Sequence, residues 1–211
     1  THMIVHDMAS PIQTIGIAVD LVLSGETGLG PENVDVLLRA SDASRNLIEM
    51  VNSLLDISRM EAGRMPLHLT DVDLRHLAEE AAETMHLLSG AKNIRLTVQG
   101  PQVPLRADRD LIRRVFVNLI GNALKFTLEG GEVMVMVSAS DGSARAEVRD
   151  TGMGIPEECH ERVFEKFGQI EAGHHRHEHS TGLGLTFCRL AVVAHGGMIG
   201  VRSRRGEGSI F

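Results

Sequence analysis

The chain of 211 residues contains no tryptophan, no tyrosine and only two cysteines. Two cysteines are too few for a disulfide framework, which favours a reducing compartment, and we expect the cytoplasm. No apolar run approaches the roughly 20 residues that a membrane-spanning helix needs. The most apolar early stretch, 15–23, is interrupted by Asp20. No signal-peptide pattern opens the sequence, so we expect membrane attachment only through segments upstream of this one.

An excess of basic residues is also missing, because 21 Lys and Arg stand against 28 Asp and Glu and give a formal net charge of −7. A broad nucleic-acid footprint needs the opposite balance, so we expect no nucleic-acid partner, although a local phosphate site remains compatible with this charge. The hydrophobic fraction of 43% and the charged fraction of 23% are those of a globular protein, which excludes disorder and collagen.

The sequence changes character near residue 65. Up to residue 62, apolar residues recur every three or four positions on two segments that a Gly-rich break at 24–31 separates. This spacing predicts two helices in an antiparallel hairpin. A single hairpin cannot bury both apolar stripes, so we expect a homodimer in which two hairpins form a four-helix bundle. We assign residues 1–64 to this domain and residues 65–211 to a second domain.

The second domain mixes strand and helix patterns, which predicts an α+β fold, a sandwich with a mixed sheet. The predicted strands are 65–69, 94–99, 132–139, 144–149 and 198–203, and the predicted helices are 73–88, 109–126 and 183–194. The strands 132–139 and 144–149 form a hairpin around Asp141 and Gly142.

His6 belongs to the first group of residues that suggests chemistry. At 100° per residue it lies opposite the apolar stripe of its helix, and Ser10 follows one turn later on the same face. The adjacent Asp7 could accept one ring proton, which would leave the other nitrogen of His6 as a nucleophile. Pro11 predicts a local distortion of the helix. An exposed surface histidine without a function is the alternative.

Asn118, Asn122 and Lys125 form the second group and line one face of the predicted helix 109–126, because they follow at i, i+4 and i+7. Amide oxygens suit Mg²⁺, which keeps waters and phosphate oxygens as its other ligands, and lysine suits phosphate. Asparagine is a poor helix former, so two of them within one helix call for a reason. A polar surface stripe is the alternative.

Two glycine-rich turns supply the other candidate residues. Asp150 ends a strand and precedes Gly152 and Gly154, so its carboxylate could accept a hydrogen bond from an exocyclic amine and favour adenine over guanine. The second turn opens a helix, whose N–H groups suit phosphate. This second turn consists of Thr181, Gly182, Leu183 and Gly184.

Residues 168–181, between the two turns, lack apolar periodicity, which predicts a lid or a disordered segment. The segment contains His174, His175, His177 and His179. No set of cysteines or carboxylates there would complete a tetrahedral metal site, so we favour a polar lid over a metal site.

In this order the motifs resemble those of the catalytic core of a bacterial sensor histidine kinase. The matching segments are 6–12 for the H-box, 118–127 for the N-box, 150–154 for the first glycine box, 164–167 for the F-box, 181–185 for the second glycine box, and 195–201 with 206–211 for the closing strands. The resemblance covers essentially the whole chain. It implies a dimerisation and histidine-phosphotransfer hairpin, followed by a GHKL-type ATP-binding α/β sandwich.

The resemblance implies autophosphorylation from ATP and Mg²⁺, followed by phosphate transfer to an aspartate of a response regulator receiver domain. His6 would be the phosphoacceptor and Asp7 the acid that orients it. Ser10 stands where family members with phosphatase activity carry Thr or Asn, so it is the candidate residue for an activity that the substitution leaves open. Five residues precede His6, and we therefore interpret the sequence as a fragment of a longer sensor.

The same resemblance assigns the nucleotide-binding residues. Asn122 would be the principal Mg²⁺ ligand with Asn118 assisting, Lys125 would contact phosphate, and Asp150 would recognise the adenine amine. The remaining residues would shape the pocket or anchor the hinge of the lid. They are Gly152, Gly154, Phe164, Phe167, Thr181, Gly182, Leu183 and Gly184.

Two alternatives stay open beside a kinase. Hydrolytic GHKL ATPases place a general-base glutamate four residues before the metal-binding asparagine, and this position is Asn118 here. An amide does not accept a proton near neutral pH, which weighs against hydrolysis. A non-catalytic, kinase-like scaffold is the second alternative, and the presence of every nucleotide-site motif weighs against it.

Overall fold

The computed structural model describes residues 12–20, 31–140, 142–168 and 182–211. The chain divides into two compact units, and the division lies between Asp56 and Ile57. None of the helices in the described ranges is both long and apolar enough to cross a membrane.

The first unit is helical, as the sequence predicts. Residues 12–20 form α1, and α2 extends over Pro31–Glu61. Proline suits the start of a helix, because the N–H that it lacks would have no intrahelical partner there. α2 buries Ala40 and Met50 on one side. A second side exposes an apolar stripe, which we define as Val34, Leu38, Ile48, Val51 and Leu55.

The second unit is built around a five-stranded mixed sheet. Its strands are β2 (Arg95–Gln99), β4 (Glu132–Ser140), β5 (Ser143–Asp150), β6 (Arg202–Ser203) and β7 (Ser209–Ile210). The spatial order is β2-β4-β5-β7-β6. β2 runs parallel to β4 and the other neighbours are antiparallel, which confirms the predicted mixed sheet and the hairpin of β4 and β5.

In the described part of this unit, a small antiparallel sheet and four further helices accompany the main sheet. The sheet pairs β1 (Leu69–Asp73) with β3 (Pro104–Asp108). The helices are α3 (Leu74–Thr84), α4 (His86–Ala91), α5 (Arg109–Phe126) and α6 (Gly184–Ala194), and short 3-10 turns occupy Glu157–Cys159 and Arg162–Phe164. Alternate residues of the central strands are buried, as expected for strands covered on one face. These residues are Val133, Val135, Val137 and Val148.

Two strand predictions are wrong in position. The strand predicted at 65–69 begins only at Leu69, because its partner β3 pairs from Leu69↔Asp108 to Asp73↔Pro104. The strand predicted at 198–203 shortens to Arg202–Ser203, where β6 meets β7. In both cases a partner distant in sequence sets the limits of the strand, and the local pattern does not contain that partner.

Two further differences concern a helix break and a strand that the sequence pattern does not indicate. The helix predicted over 73–88 ends at Thr84, and α4 starts afresh at His86 after Met85 leaves the helical conformation at φ −93° and ψ 0°. β3 has no prediction at all, because Pro104 and its charged residues give no apolar alternation. The predictions for α5 and α6 are confirmed to within one residue.

Candidate nucleotide-binding site

α5 carries the polar residues of the second predicted group. Asp108 caps this helix, because its Oδ1 accepts a hydrogen bond from the Leu111 N–H at 3.2 Å. Asn118, Asn122 and Lys125 are all half-buried. The opposite face fills the core with Leu111, Val115, Phe116, Leu119, Ile120, Ala123 and Leu124. The three polar side chains therefore lie where a ligand can reach them.

Asp150 lies at the end of β5 and is only 5% exposed. Its Oδ1 accepts hydrogen bonds from the Gly152 N–H at 2.8 Å and from the Ser209 N–H at 3.2 Å. Burial raises the pKa of Asp150, whereas the hydrogen bonds from Gly152 and Ser209 act in the opposite direction. Both backbone bonds end on Oδ1, and the Ser209 side chain also hydrogen-bonds to this carboxylate.

The turn after Asp150 requires glycine for close packing. A Cβ on Gly152 would overlap the carbonyl oxygen of Phe126, the last residue of α5. The next N–H along the chain, from Met153, donates to the same carbonyl at 3.3 Å. Gly154 lies equally close to the backbone of Arg204. The turn therefore joins the end of α5 to the strand end that carries Asp150.

Gly182 meets the backbone of Phe167 at the entrance to α6. A Cβ on Gly182 would lie 2.7 Å from the Phe167 Cα, and Gly182 has a φ of +64°, which glycine adopts at little cost. The Phe167 N–H donates to the Gly182 carbonyl at 3.1 Å. Phe164 is buried, with its ring edge-on to Phe211 at 6.2 Å between centroids. The predicted hinge residues are thus joined to the second glycine turn.

The second glycine turn also adjoins α5. A Cβ on Gly184 would be in ordinary contact with Asn118, 3.5 Å from its Oδ1. The N-cap residue of α6 is Leu183, whose side chain is apolar and forms no capping hydrogen bond. The first N–H groups of α6 therefore lie beside Asn118 of α5. This arrangement suits an anion that contacts both helices.

Comparison with known proteins identifies this arrangement. Residues 107–211 match the family model for the histidine kinase-, DNA gyrase B-, and HSP90-like ATPase. Over 99% of its length, the chain is 36% identical to the adaptive-response sensory kinase SasA of Crocosphaera subtropica. The chain belongs to the histidine kinase family.

Solved structures have the same fold. Full-length ShkA in complex with AMPPNP superposes with a TM-score of 0.74 at 30% identity, over 95% of this chain and 44% of ShkA. ThkA in complex with the response regulator TrrA gives 0.76 at 23% identity, over 100% of this chain and 59% of ThkA, and this likeness concerns the fold alone. The chain spans between 13% and 56% of the first relatives that it matches in sequence.

Four candidate residues of this histidine kinase family member lie outside the described residues. They are His6, Asp7, Ser10 and Thr181, and the histidines of the predicted lid lie outside as well. Their assignments stay predictions from the sequence.

The family implies Mg²⁺, and the candidate ligands for it in this site are the side chains on α5. No group of three or more His, Cys, Asp or Glu that could hold a metal occurs in the described ranges. The side chains of Asn118 and Asn122 offer amide oxygens only, half-buried on α5. Such a set fits Mg²⁺ that takes its remaining ligands from water and phosphate, and it does not fit a metal held by protein alone.

Phe126 and Ser209 are site residues that the sequence prediction missed. The Phe126 side chain is 40% exposed although it is aromatic, and its carbonyl contacts the turn after Asp150. An aromatic residue directly after Lys125, at the polar end of the helix, was the available signal. No signal could have revealed Ser209, because its bond to Asp150 depends on the pairing of β5 with β7.

Proposed function

We propose that this chain is the catalytic core of an ATP-dependent protein histidine kinase, which phosphorylates itself on His6 and passes the phosphate to an aspartate of a response regulator. The observation that carries the proposal is the position of Asn118 beside Gly184 at the N-terminus of α6. An amide oxygen that can bind a metal ion thus lies next to backbone N–H groups that can bind phosphate. Membership of the histidine kinase family supports the same reaction.

The adenine base is assigned to the corner around Asp150. With Oδ1 engaged by two backbone N–H groups, Oδ2 is the oxygen that accepts from the exocyclic amine of adenine. Guanine presents a carbonyl at this position and would repel the carboxylate. Phe126, whose backbone carbonyl contacts the turn after Asp150, has an exposed ring, and we assign to this ring the stacking of the flat base. Gly152 and Gly154 keep the corner free of side chains.

The triphosphate is assigned to the space between α5 and the start of α6. Its oxygens accept from the N–H groups of Gly184 and its neighbours Leu183 and Gly182, and Lys125 contributes a positive charge. Asn122, with help from Asn118, holds Mg²⁺, which when bound neutralises the phosphate charge and polarises the γ-phosphoryl group. The predicted contribution of Thr181 continues the same row of N–H groups.

The chemistry of Asn118 favours transfer to histidine over hydrolysis. Its amide does not accept a proton, so no general base activates water from this position. A ring nitrogen of His6 attacks the γ-phosphorus, the bond to the β–γ bridging oxygen breaks, and ADP leaves. Asp7 accepts a hydrogen bond from the other ring nitrogen and compensates its developing positive charge. Ser10, one turn along the predicted helix, is the candidate for positioning water in a separate phosphatase reaction, in which water accepts the phosphoryl group and inorganic phosphate is released.

The exposed stripe of α2 supports the proposal of a homodimer. α2 has 31 residues, and apolar side chains along one side of it are exposed to solvent in the single chain. Burying them against a second copy removes apolar area from water, which stabilises association by about 25 cal/mol per Å². A four-helix bundle of two hairpins is the arrangement that we propose.

The remaining partners follow from the proposed reaction. The phosphorylated histidine requires an acceptor aspartate, and we assign it to the receiver domain of a response regulator. ATP and the response regulator are both available in the cytoplasm, which is the compartment we propose.

The test is transfer of radiolabel from the γ-position of ATP to the protein. The parent should acquire label that is stable to base and labile to acid, as phosphohistidine is. His6→Gln should abolish this label and leave the affinity for AMPPNP unchanged, because His6 serves the transfer and not the binding. His86→Gln is the matched control and should label as the parent does, because His86 lies on α4.

Two results would contradict the proposal. Label that survives His6→Gln would show that another residue accepts the phosphate. Release of inorganic phosphate without any protein label, at a rate that His6→Gln leaves unchanged, would favour a hydrolytic GHKL ATPase instead.

A further inference from the structure

The two helices that carry the proposed phosphate site pair in an antiparallel register that can be followed along their length. At the start of α6, Gly184 lies beside Asn118. One turn later the Cys188 Sγ lies 3.7 Å from the Val115 carbonyl oxygen, to which it donates. At the end of α6 the chain reaches the residue that caps α5, since the Asp108 N–H donates to His195.

His195 makes two directional contacts at this far end. Its Nε2 accepts from the Asp108 N–H at 2.9 Å, which fixes Nε2 as the unprotonated nitrogen. Its Nδ1 therefore carries the proton and donates to the Ala191 carbonyl oxygen at 2.7 Å. One imidazole thus joins the last turn of α6 to the N-cap of α5.

Asp108 is itself held by hydrogen bonds, so the position of the N–H that it donates to His195 is fixed. It is a buried residue, and its carboxylate accepts from the His68 N–H at 3.0 Å as well as from the Leu111 N–H. Along the helices, Arg114 of α5 lies 4.0 Å from the centroid of the Phe187 ring of α6. By contrast, apolar contacts made by buried side chains such as Ala191 are non-directional and permit one helix to slide along the other. Hydrogen bonds at the end of the pair resist this sliding.

We propose that His195 is a positioning residue for nucleotide binding, which fixes the axial register of α6 against α5 and thereby holds the N-terminus of α6 beside Asn118. The inference rests on the proposed assignment of Asn118, Asn122 and the Gly184 turn to the triphosphate and Mg²⁺. His195 touches neither of these ligands. It acts through the two helices, from the end opposite to the phosphate site.

The proposal separates the phosphate end of the nucleotide from its adenine end. Asp150 belongs to β5 and holds its geometry through Gly152 and Ser209, so it does not depend on the register of α6. Loss of the His195 hydrogen bonds should therefore lower the affinity for ligands that carry phosphates. The affinity for a ligand without phosphates should not change. A general loss of fold stability would not produce this difference between two ligands.

The experiment measures the dissociation constants of AMPPNP with Mg²⁺ and of adenosine for the full 211-residue chain. His195→Phe retains a planar ring and loses both hydrogen bonds. It should weaken AMPPNP about tenfold or more, the cost typical of removing a residue that orients metal-binding groups. Adenosine affinity should not change. His195→Gln, whose amide can both donate and accept, should recover most of the loss.

Controls keep the outcomes distinct. His86→Phe is the same substitution on α4 and should change neither constant. If His195→Phe fails to fold, His195→Ala provides the same comparison. Equal weakening of both ligands, or of neither, would overturn the positioning role, and failure of His195→Gln to recover affinity would overturn its basis in hydrogen bonds. Asn122→Ala, measured in parallel, must weaken the binding of AMPPNP. If it does not, the proposed phosphate site is wrong. If Asn122→Ala weakens AMPPNP binding and His195→Phe does not, only the positioning role of His195 is rejected.

Discussion

Asp150→Asn should separate the stability of the fold from recognition of the base. The side chain is 5% exposed, and the new amide can keep its oxygen on the N–H groups of Gly152 and Ser209. The substitution removes a buried charge, which is favourable, and weakens two charge-assisted hydrogen bonds, which is not. Because these effects oppose each other, the free energy of unfolding at neutral pH should change by less than about 1 kcal/mol.

The pH dependence of this comparison has a definite sign. Burial raises the pKa of Asp150 above its ordinary value of 3.8 in the folded state. A carboxyl group with a raised pKa contributes stability that is fully present below pH 3.8 and is lost as the pH rises through the folded value. The amide does not titrate. The midpoint of thermal unfolding of the parent should therefore fall relative to that of the variant as the pH rises from about 4 to 7.

Nucleotide binding should respond much more strongly than stability. The variant replaces a charged acceptor for the adenine amine by an amide whose NH₂ group can face that amine. A hydrogen bond to a charged group is worth about 1.5–3 kcal/mol, so the dissociation constant of AMPPNP should rise by about 10- to 150-fold. The guanine analogue GMPPNP presents a carbonyl to the same NH₂ group, so the preference for adenine should shrink by more than the loss in AMPPNP affinity alone.

Calorimetric titration with both analogues measures these constants, and thermal unfolding verifies that the variant is folded. Asp110→Asn is the matched control, because it makes the same chemical change on a side chain that is 87% exposed at the start of α5. A folded Asp150→Asn protein that retains the adenine-to-guanine preference of the parent would refute the assignment of the adenine corner.

Two further predictions concern assembly and the cysteines. Val51→Glu places a charge in the exposed stripe of α2 and should convert dimers into monomers in analytical ultracentrifugation. Asn46→Glu introduces the same charge outside the stripe and should leave the dimer intact. A monomeric parent would contradict the homodimer. Burial raises the pKa of the Cys188 thiol to about 12, so a thiol reagent at about pH 8 should modify only Cys159 in the folded chain and both cysteines after denaturation. Rapid modification of Cys188 in the folded chain would contradict its burial between α5 and α6.

The sequence predicted best those parts whose cause is local. α5 was located because Asp108 caps it and because its apolar residues follow a helical period up to Phe126. The hairpin of β4 and β5 was located because both strands and their turn lie within 20 residues. The polar face of α5 follows from the same period, so the candidate residues on it required no knowledge of the sheet.

The parts that were missed depend on partners distant in sequence. β1 and β3 pair across 31 to 39 residues of sequence, and neither has an alternating pattern of its own. The second hydrogen bond to Asp150 comes from Ser209, 59 residues later. The link between Asp108 and His195 spans 87 residues. Such contacts arise from the topology of the fold, and no local periodicity encodes them.

The contacts of the last strand with β5 impose an order on the making of the protein. Phe211 exchanges two backbone hydrogen bonds with Val148, both of 3.0 Å, and Ser209 supplies the second hydrogen bond to Asp150. During translation the helical unit, α5 and Asp150 all leave the ribosome before residues 209–211 do, because synthesis proceeds from the N-terminus. The adenine corner therefore cannot be completed on a nascent chain until residue 211 has emerged, so binding of adenine should begin only at that point of synthesis.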